Sequence, residues 1–405
     1  MTREASLAGR ALAVLRRNDA GTFTKPGPRL YPFQWNWDSA FVALGLARVD
    51  PERGRTEVRS LLSGQWADGM VPHIVFHPQP VAYAPGPEVW GSAACAGAPA
   101  VATSGLTQPP VLATAVRALH EAAPDSAFLE EVLPALDAWH RWLLRERREP
   151  GAGLVAILHP WESADNAPRF DGALAHVDPT GFERSDTRQV DVDERPTDDH
   201  YRRYMAIVER LRRCCYRPAA LKGAPFVYVD LCFNAVLAVA EEDLALLRRE
   251  LGDGGSRADA SAGALREALA AHWSGDGETV GDMLPLYAGV ADEPQARALH
   301  SQALWSPERF GPSPEAPWAV TTVSKSSPSF DPRRYWRGPV WINMNWFLVR
   351  GLERCGLAAE AGELRRLTLE LVERSGFAEY YHPATGEPLG SGDFSWSAAL
   401  TLDLV

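Results

Sequence analysis

Apolar residues recur at three- and four-residue intervals along most of this chain. Between 125 and 147, Leu129, Val132, Leu133, Leu136, Trp139 and Leu143 fall on one stripe, and between 229 and 251 Phe233, Val236, Leu237, Ala240, Leu244 and Leu247 do the same. A helix turning every 3.6 residues brings such positions to one face. The same spacing predicts helices at 5–18, 38–48, 53–66, 109–121, 201–213, 260–273, 293–304, 340–354, 358–374 and 395–404. No run with the two-residue period of a strand lasts more than a few residues. The segments between, 21–37, 67–107, 148–200, 274–291 and 305–339, are long and rich in Pro, Gly and aromatics. Loops of that length inside a packed protein usually carry function. The expectation is an all-α fold of paired helices, a bundle or a double-ring α/α barrel, with its binding face built from loops. The chain reads as one domain, 1–405, with insertions at about 67–107 and 148–200. The Gly-rich stretch 252–263 is a surface turn, not a boundary.

Composition narrows the partners. With 41 Lys+Arg against 52 Asp+Glu, the formal net charge is −11, which argues against nucleic-acid backbones and anionic membranes. Five cysteines without framework spacing point to a reduced compartment, and no run reaches the roughly 18 apolar residues of a membrane span. A cytoplasmic protein is expected, with homo-oligomerisation left open. Fourteen Trp, many beside Asp, Asn, Gln and Arg, exceed what a core requires, because a buried indole N–H needs a partner. Such mixtures suit sugars, whose C–H faces stack on rings while their hydroxyls need donors and acceptors.

Candidate chemistry gathers in the loops: YPFQWNWDSAF at 31–41, TSGLTQPPVLA at 103–113, LHPWESADNAPRFDG at 158–172, RRYWRGPVWINMNWF at 333–347 and GFAEYYHPATGEPLGSGDFSWSAAL at 376–400. Cleaving a glycosidic bond takes one carboxylic acid to protonate the leaving oxygen and one carboxylate to attack or to activate water. Glu162, Asp165, Asp171, Asp38, Glu379, Glu387 and Asp393 are candidates by position, and spacing does not choose among them. Each also has a plainer reading: Asp-Asn-Ala-Pro as a turn, Glu379 as a surface carboxylate, Asp38 as the cap of a helix starting at Ser39, the Trp clusters as core. His73 and His77, four apart but bracketed by prolines, read as structural, and the acidic 191–200 as a solvated loop.

Taken together the clusters resemble glycoside hydrolase family 63, of the trehalase-like clan with its six-pair α/α barrel. WESADNAPRFD is similar to that family's W-E-S-G-x-D-N-S-P-R-x-D block, and YWRGPVWINMNW to its Y-W-R-G-P-x-W-x-N block; DLCFNAVLA and the C-terminal EYYHPATGEPLG also match, over residue 31 to the end. Where the family has Gly and one further residue between Ser and Asp, this chain has only Ala164, so the alignment runs backwards from Asp165-Asn166. The resemblance implies Asp165 as general acid and Glu379 as the base that activates water, giving inversion without metal or cofactor. It implies a sugar pocket of Tyr31, Trp35, Trp37, Asp38, Gln108 and Trp161, with Trp336, Arg337 and Trp341 beside them. The short chain is most similar to the bacterial mannosylglycerate and glucosylglycerate hydrolases, which free a hexose from D-glycerate. An anionic aglycone calls for arginine and tyrosine hydroxyls; Arg203, Tyr204 and Tyr335 are the expected grip, under a lid at 176–200. The competing readings are a hydrolase of a neutral disaccharide, which would not depend on Arg203, a sugar isomerase or epimerase using His176 or His382, and a non-catalytic sugar-binding protein.

Overall fold

The computed structural model describes residues 3–217 and 223–405, with side chains from residue 7 onward. Its helices, in chain order, are α1 (Arg3–Asn18), α2 (Asn36–Leu46), α3 (Pro51–Leu62), α4 (Pro87–Trp90), α5 (Leu112–Ala122), α6 (Ser126–Glu146), α7 (Asp171–Leu174), α8 (Asp198–Arg213), α9 (Leu231–Glu250), α10 (Ser256–His272), α11 (Glu293–Leu299), α12 (Ile342–Arg354), α13 (Ala358–Ser375) and α14 (Ser395–Leu404). The periodic segments of the sequence are therefore helices, with ends shifted where capping decides. α3 starts at Pro51 because the Asp50 side chain accepts from the Arg53 amide at 3.1 Å, satisfying one of the orphan N–H groups of the first turn.

Packing separates two kinds of helix. α2 lies against α3, α5 and α14; α5 against α9; α9 against α10 and the 3₁₀ segment Val280–Leu286; that segment against α12; α12 against α13 and α14; and α1 against α14. All residues of α2 are buried, as are all of α14 but Asp403, so these helices have no polar face to turn outward. Gly45 permits the closest crossing, since a Cβ there would collide with the Ala399 backbone on α14. Partners on the outside, such as α3 and α13, keep charged faces in solvent.

Three features depart from the sequence reading. The loop expected at 274–291 contains the 3₁₀ segment Val280–Leu286, whose Pro285 hides a helical pattern. Asp38 does not cap a helix at Ser39: α2 begins two residues before it, with Trp35 in the N-cap position. Short strands also occur: β1 (Gln34–Trp35), β2 (Ile74–Phe76) and β3 (Ala102–Thr103) form an antiparallel sheet with Gln34 opposite Val75 and Val75 opposite Thr103. β4 (Ala156–Ile157) pairs with β5 (Tyr228–Val229), and β6 (Tyr380–Tyr381) with β7 (Pro388–Leu389). Two or three residues cannot display alternation, so these strands left no pattern to read. No helix among the described residues is long and apolar enough to cross a membrane.

Candidate active site

The loop carrying Asp165 is held from below by Glu162. That carboxylate is fully buried and takes both Arg147 guanidinium nitrogens, at 2.8 and 2.9 Å, together with the amides of Leu158 and Thr107 at 2.7 and 3.1 Å. With its acceptor sites filled, Glu162 is an anchor and not a reacting group. Asn166, on the other side, accepts from the Trp336 amide at 3.0 Å. Asp165 itself sits at φ +31°, a left-handed conformation that Asp tolerates better than most residues and that these two anchors impose.

What results is a buried carboxyl with an unpartnered oxygen. Neither Asp165 Oδ1 nor the Tyr204 hydroxyl makes a hydrogen bond of ordinary geometry. Burial pushes the Asp165 carboxyl up to about 6, although Arg195, the neighbouring Tyr204 hydroxyl and His200 pull the other way.

Glu379 directly precedes β6 and is furnished differently. Its Oε1 accepts from the Tyr31 hydroxyl at 2.7 Å and lies 3.5 Å from Arg195 Nη1, and its Oε2 accepts from the Ser391 amide at 3.0 Å. Burial raises its pKa, while Arg195, the Ser391 amide, Tyr31 and Tyr335 offset part of that rise. Asp38 is raised further, by burial and then by the charge of Glu379. Carboxyls whose surroundings differ in this way are the raw material of acid–base pairs.

Asp165 and Glu379 open on one cavity of about 130 Å³, walled by Trp35, Trp37, Trp161 and Trp336 and lined also by Tyr31, Asp38, Gln108 and Tyr335. The β1–β2 pairing sets Trp35 beside Ile74, and Gln108 fixes the start of α2 by accepting from the Trp37 amide at 3.3 Å. Trp341 stands behind the wall, stacked 3.8 Å from Trp336 and 4.6 Å from Tyr380, with its indole N–H on the Tyr335 carbonyl at 3.1 Å. It stiffens the platform without facing the cavity. Tyr204 likewise lies behind the lining, beside Asp165.

Two arginines proposed from sequence lie elsewhere. Arg203 pairs through Nε with Asp199 one helical turn back at 2.7 Å and donates through Nη1 to the carbonyls of Leu174 and Val177 at 3.1 and 2.5 Å, so it is tied to the end of α7 and does not line the cavity. Arg337 binds Asp171 at 2.5 Å on the same outer surface. Asp393 and Glu387 are ion-paired with Arg17 and Arg333. His73 is buried at the cavity edge against Ser104, and His77 stacks on Phe23.

The buried cation of the cavity is Arg195, from the acidic run that reads as a solvated loop; Arg29, the other arginine lining it, is exposed to solvent. Its guanidinium is 4% exposed, lies 4.2 Å above the Tyr335 ring, donates to the Tyr31 hydroxyl at 3.0 Å and to Asp186 at 3.1 Å. Tyr201 and Tyr83 line the same end. A lone arginine inside an acidic stretch of a long loop was the available signal. Among the described residues no cluster of three or more His, Cys, Asp or Glu is placed to hold a metal ion.

Buried carboxyls, Asp38, Asp165 and Glu379, facing a tryptophan-walled cavity fit one class, a glycoside hydrolase. The comparisons agree and narrow it: the chain belongs to the mannosylglycerate hydrolase MGH1-like glycoside hydrolase family, whose model matches residues 31–397. It is 43% identical to the mannosylglycerate hydrolase of Thermus thermophilus, over 97% of this chain and 99% of the relative. It is 38% identical to the glucosylglycerate hydrolase of Mycolicibacterium hassiacum, over 98% and 97%. The crystal structure of the family 63 mannosylglycerate hydrolase from Thermus thermophilus in complex with Tris and D-glycerate superposes with a TM-score of 0.90, at 42% identity, covering 98% of this chain and 99% of that one.

Proposed function

We propose that this protein hydrolyses 2-O-α-mannosyl-D-glycerate, and glucosylglycerate as a second substrate, to the hexose and D-glycerate with inversion at the anomeric carbon. The observation that carries the reading is Arg195, a permanently charged guanidinium buried in the cavity onto which both carboxyls open. Arg195 is held by Asp186 and lies beside Glu379, and a glycerate carboxylate gives its guanidinium a further anion to meet, which a neutral disaccharide does not. Arg195, with the hydroxyls of Tyr31, Tyr335 and Tyr201 around it, replaces Arg203 as the aglycone grip.

In the reaction Asp165 gives its proton to the oxygen joining hexose C1 to glycerate, the C1–O bond breaks, and Asp165 is left as a carboxylate. Glu379 takes a proton from a water that attacks C1 from the opposite face. Desolvation serves the acid, since a carboxyl near 6 retains its proton more readily than one at the usual carboxylate value. The circuit α2, α5, α9, Val280–Leu286, α12, α14 and back to α2, with α3, α10, α13 and α1 outside it, supports a six-pair α/α barrel as scaffold, and 176–200 is proposed as its lid. Five free cysteines support a cytoplasmic location.

The test is a proton NMR time course on α-mannosylglycerate, read at the anomeric signals before mutarotation. β-Mannose appearing first is expected. α-Mannose first would overturn the roles given to Asp165 and Glu379, and no release from either hexosyl-glycerate would overturn the substrate.

A further inference from the structure

Glu194 is not part of the cavity wall, yet it touches both halves of the site. Its side chain is 12% exposed; Oε2 accepts from the Gly390 amide at 2.8 Å and Oε1 from Arg333 at 3.1 Å, while its carbonyl accepts from the Tyr380 hydroxyl at 2.6 Å. The residue after it is Arg195, whose carbonyl is taken by Arg334 at 3.1 Å. The residue after Gly390 is Ser391, whose amide holds Glu379. Gly390 stands at φ +71°, and a Cβ on it would lie 2.5 Å from Glu379 Oε2, so the turn pressed against that carboxylate is available to glycine alone.

We propose that Glu194 is a positioning residue that couples the aglycone end of the site to the catalytic carboxylate: by fixing the Gly390 amide it orients the Gly390–Ser391 turn, and through it the Ser391 N–H donated to Glu379. The segment that carries Arg195 into the cavity thereby also sets the state of Glu379. An ion pair that merely tied the segment down would need only Arg333; the second acceptor, aimed at a backbone amide one residue from the Glu379 contact, is what assigns the coupling. The inference rests on the reading of Glu379 as the base.

The groups bearing on Glu379 are Arg195, Tyr31, Asp38 on α2, Tyr335 and Tyr380; those on Glu194 are Arg333, with Glu387 behind it, and Tyr380. Glu194→Ala and Glu194→Gln replace none of these residues and remove the Glu194 charge from Arg333 and Tyr380 alike, so they differ in whether Gly390 keeps an acceptor. Because the Ser391 amide favours the ionised form of Glu379, Glu194→Ala is expected to move the rising, acid limb of the kcat/KM profile upward by about half a pH unit or more and to lower kcat about tenfold. Glu194→Gln keeps an acceptor for Gly390, so its acid limb stays at the wild-type position. Should the alanine variant not fold, Glu194→Asp, one methylene too short for Gly390, is expected to show the same limb shift.

An unmoved acid limb in Glu194→Ala or Glu194→Asp, or an equal shift in Glu194→Gln, overturns the inference. Glu379→Gln is measured alongside: if it retains activity, the assignment of the base has failed, and if it is inactive while Glu194→Ala keeps the wild-type limb, the coupling alone has failed.

Discussion

Arg195→Met removes a charge 3.5 Å from Glu379 Oε1 while leaving an unbranched side chain to cover the Tyr335 ring. At an effective dielectric constant of 20, that pair is worth about 5 kcal/mol, an upper bound on what the charge does for the ionised carboxylate. Carboxylates beside an arginine are typically depressed by about one to three pH units, and Arg195 acts in the same direction on Asp165. Both carboxyls therefore rise when it is removed, and the whole bell of kcat/KM against pH moves to higher pH by about one unit or more. A second effect depends on the substrate. A glycerate carboxylate left in the cavity without its guanidinium costs about 2–5 kcal/mol, roughly 30- to 5,000-fold in kcat/KM, whereas an uncharged methyl α-mannoside has no carboxylate to lose. Asp186 keeps Arg184 and the Tyr201 hydroxyl as partners, so the variant is expected to fold. The assay compares the two substrates across pH 4–9 as orders of magnitude in kcat/KM. Equal losses on both substrates, or limbs that do not move, would refute the assignment of Arg195 and the electrostatic reasoning behind it.

Tyr204→Phe removes a hydroxyl that favours the ionised form of Asp165, so the falling, basic limb of the profile is expected to start above about 6 and move to higher pH, with KM little changed; a limb that moves down would contradict the sign. Asp165→Asn is expected to abolish turnover and to stabilise the protein at high pH. The Asp165 carboxyl rises from 3.8 to about 6 on folding, so the folded chain holds a proton that the unfolded chain releases between those values, and above pH 6 burying the charge costs on the order of 3 kcal/mol. Thermal unfolding at pH 8 and pH 4 should show the gain at pH 8 only. Glu162→Gln breaks the Arg147 pair in the interior and is expected to cost about 3–5 kcal/mol in urea unfolding, with the pH limbs unmoved; a shifted limb would return Glu162 to the list of reacting groups.

The helices were legible because their signal is local. The stripe from Leu129 to Leu143 is six side chains within four turns, and the same spacing located α9, α12 and α13 to within a few residues. Trp35, Trp37 and Asp38 at the start of α2, and Gln108 before α5, pointed to a sugar site because aromatic faces interleaved with hydrogen-bonding groups are visible as a local mixture of residues. Resemblance to a family added Asp165 and Glu379 as a pair.

Which carboxyls and which arginine meet was settled only by folding. Glu162 and Asp165 are three residues apart, yet one is consumed by Arg147 and two amides while the other keeps an unpaired oxygen, a difference made by residues from other parts of the chain. Arg195 lies inside the long loop and Arg203 in the helix that follows it; an aspartate one helical turn away and the carbonyls ending α7 claim Arg203, and Arg195 is carried over the Tyr335 ring into the cavity. Helical periodicity is written by neighbours a few residues apart, so the sequence alone determined the scaffold and the kind of chemistry. Charge state, unpartnered oxygens and reach depend on burial and on partners as far apart in the chain as Tyr31 and Glu379, and those exist only once the tertiary structure has formed.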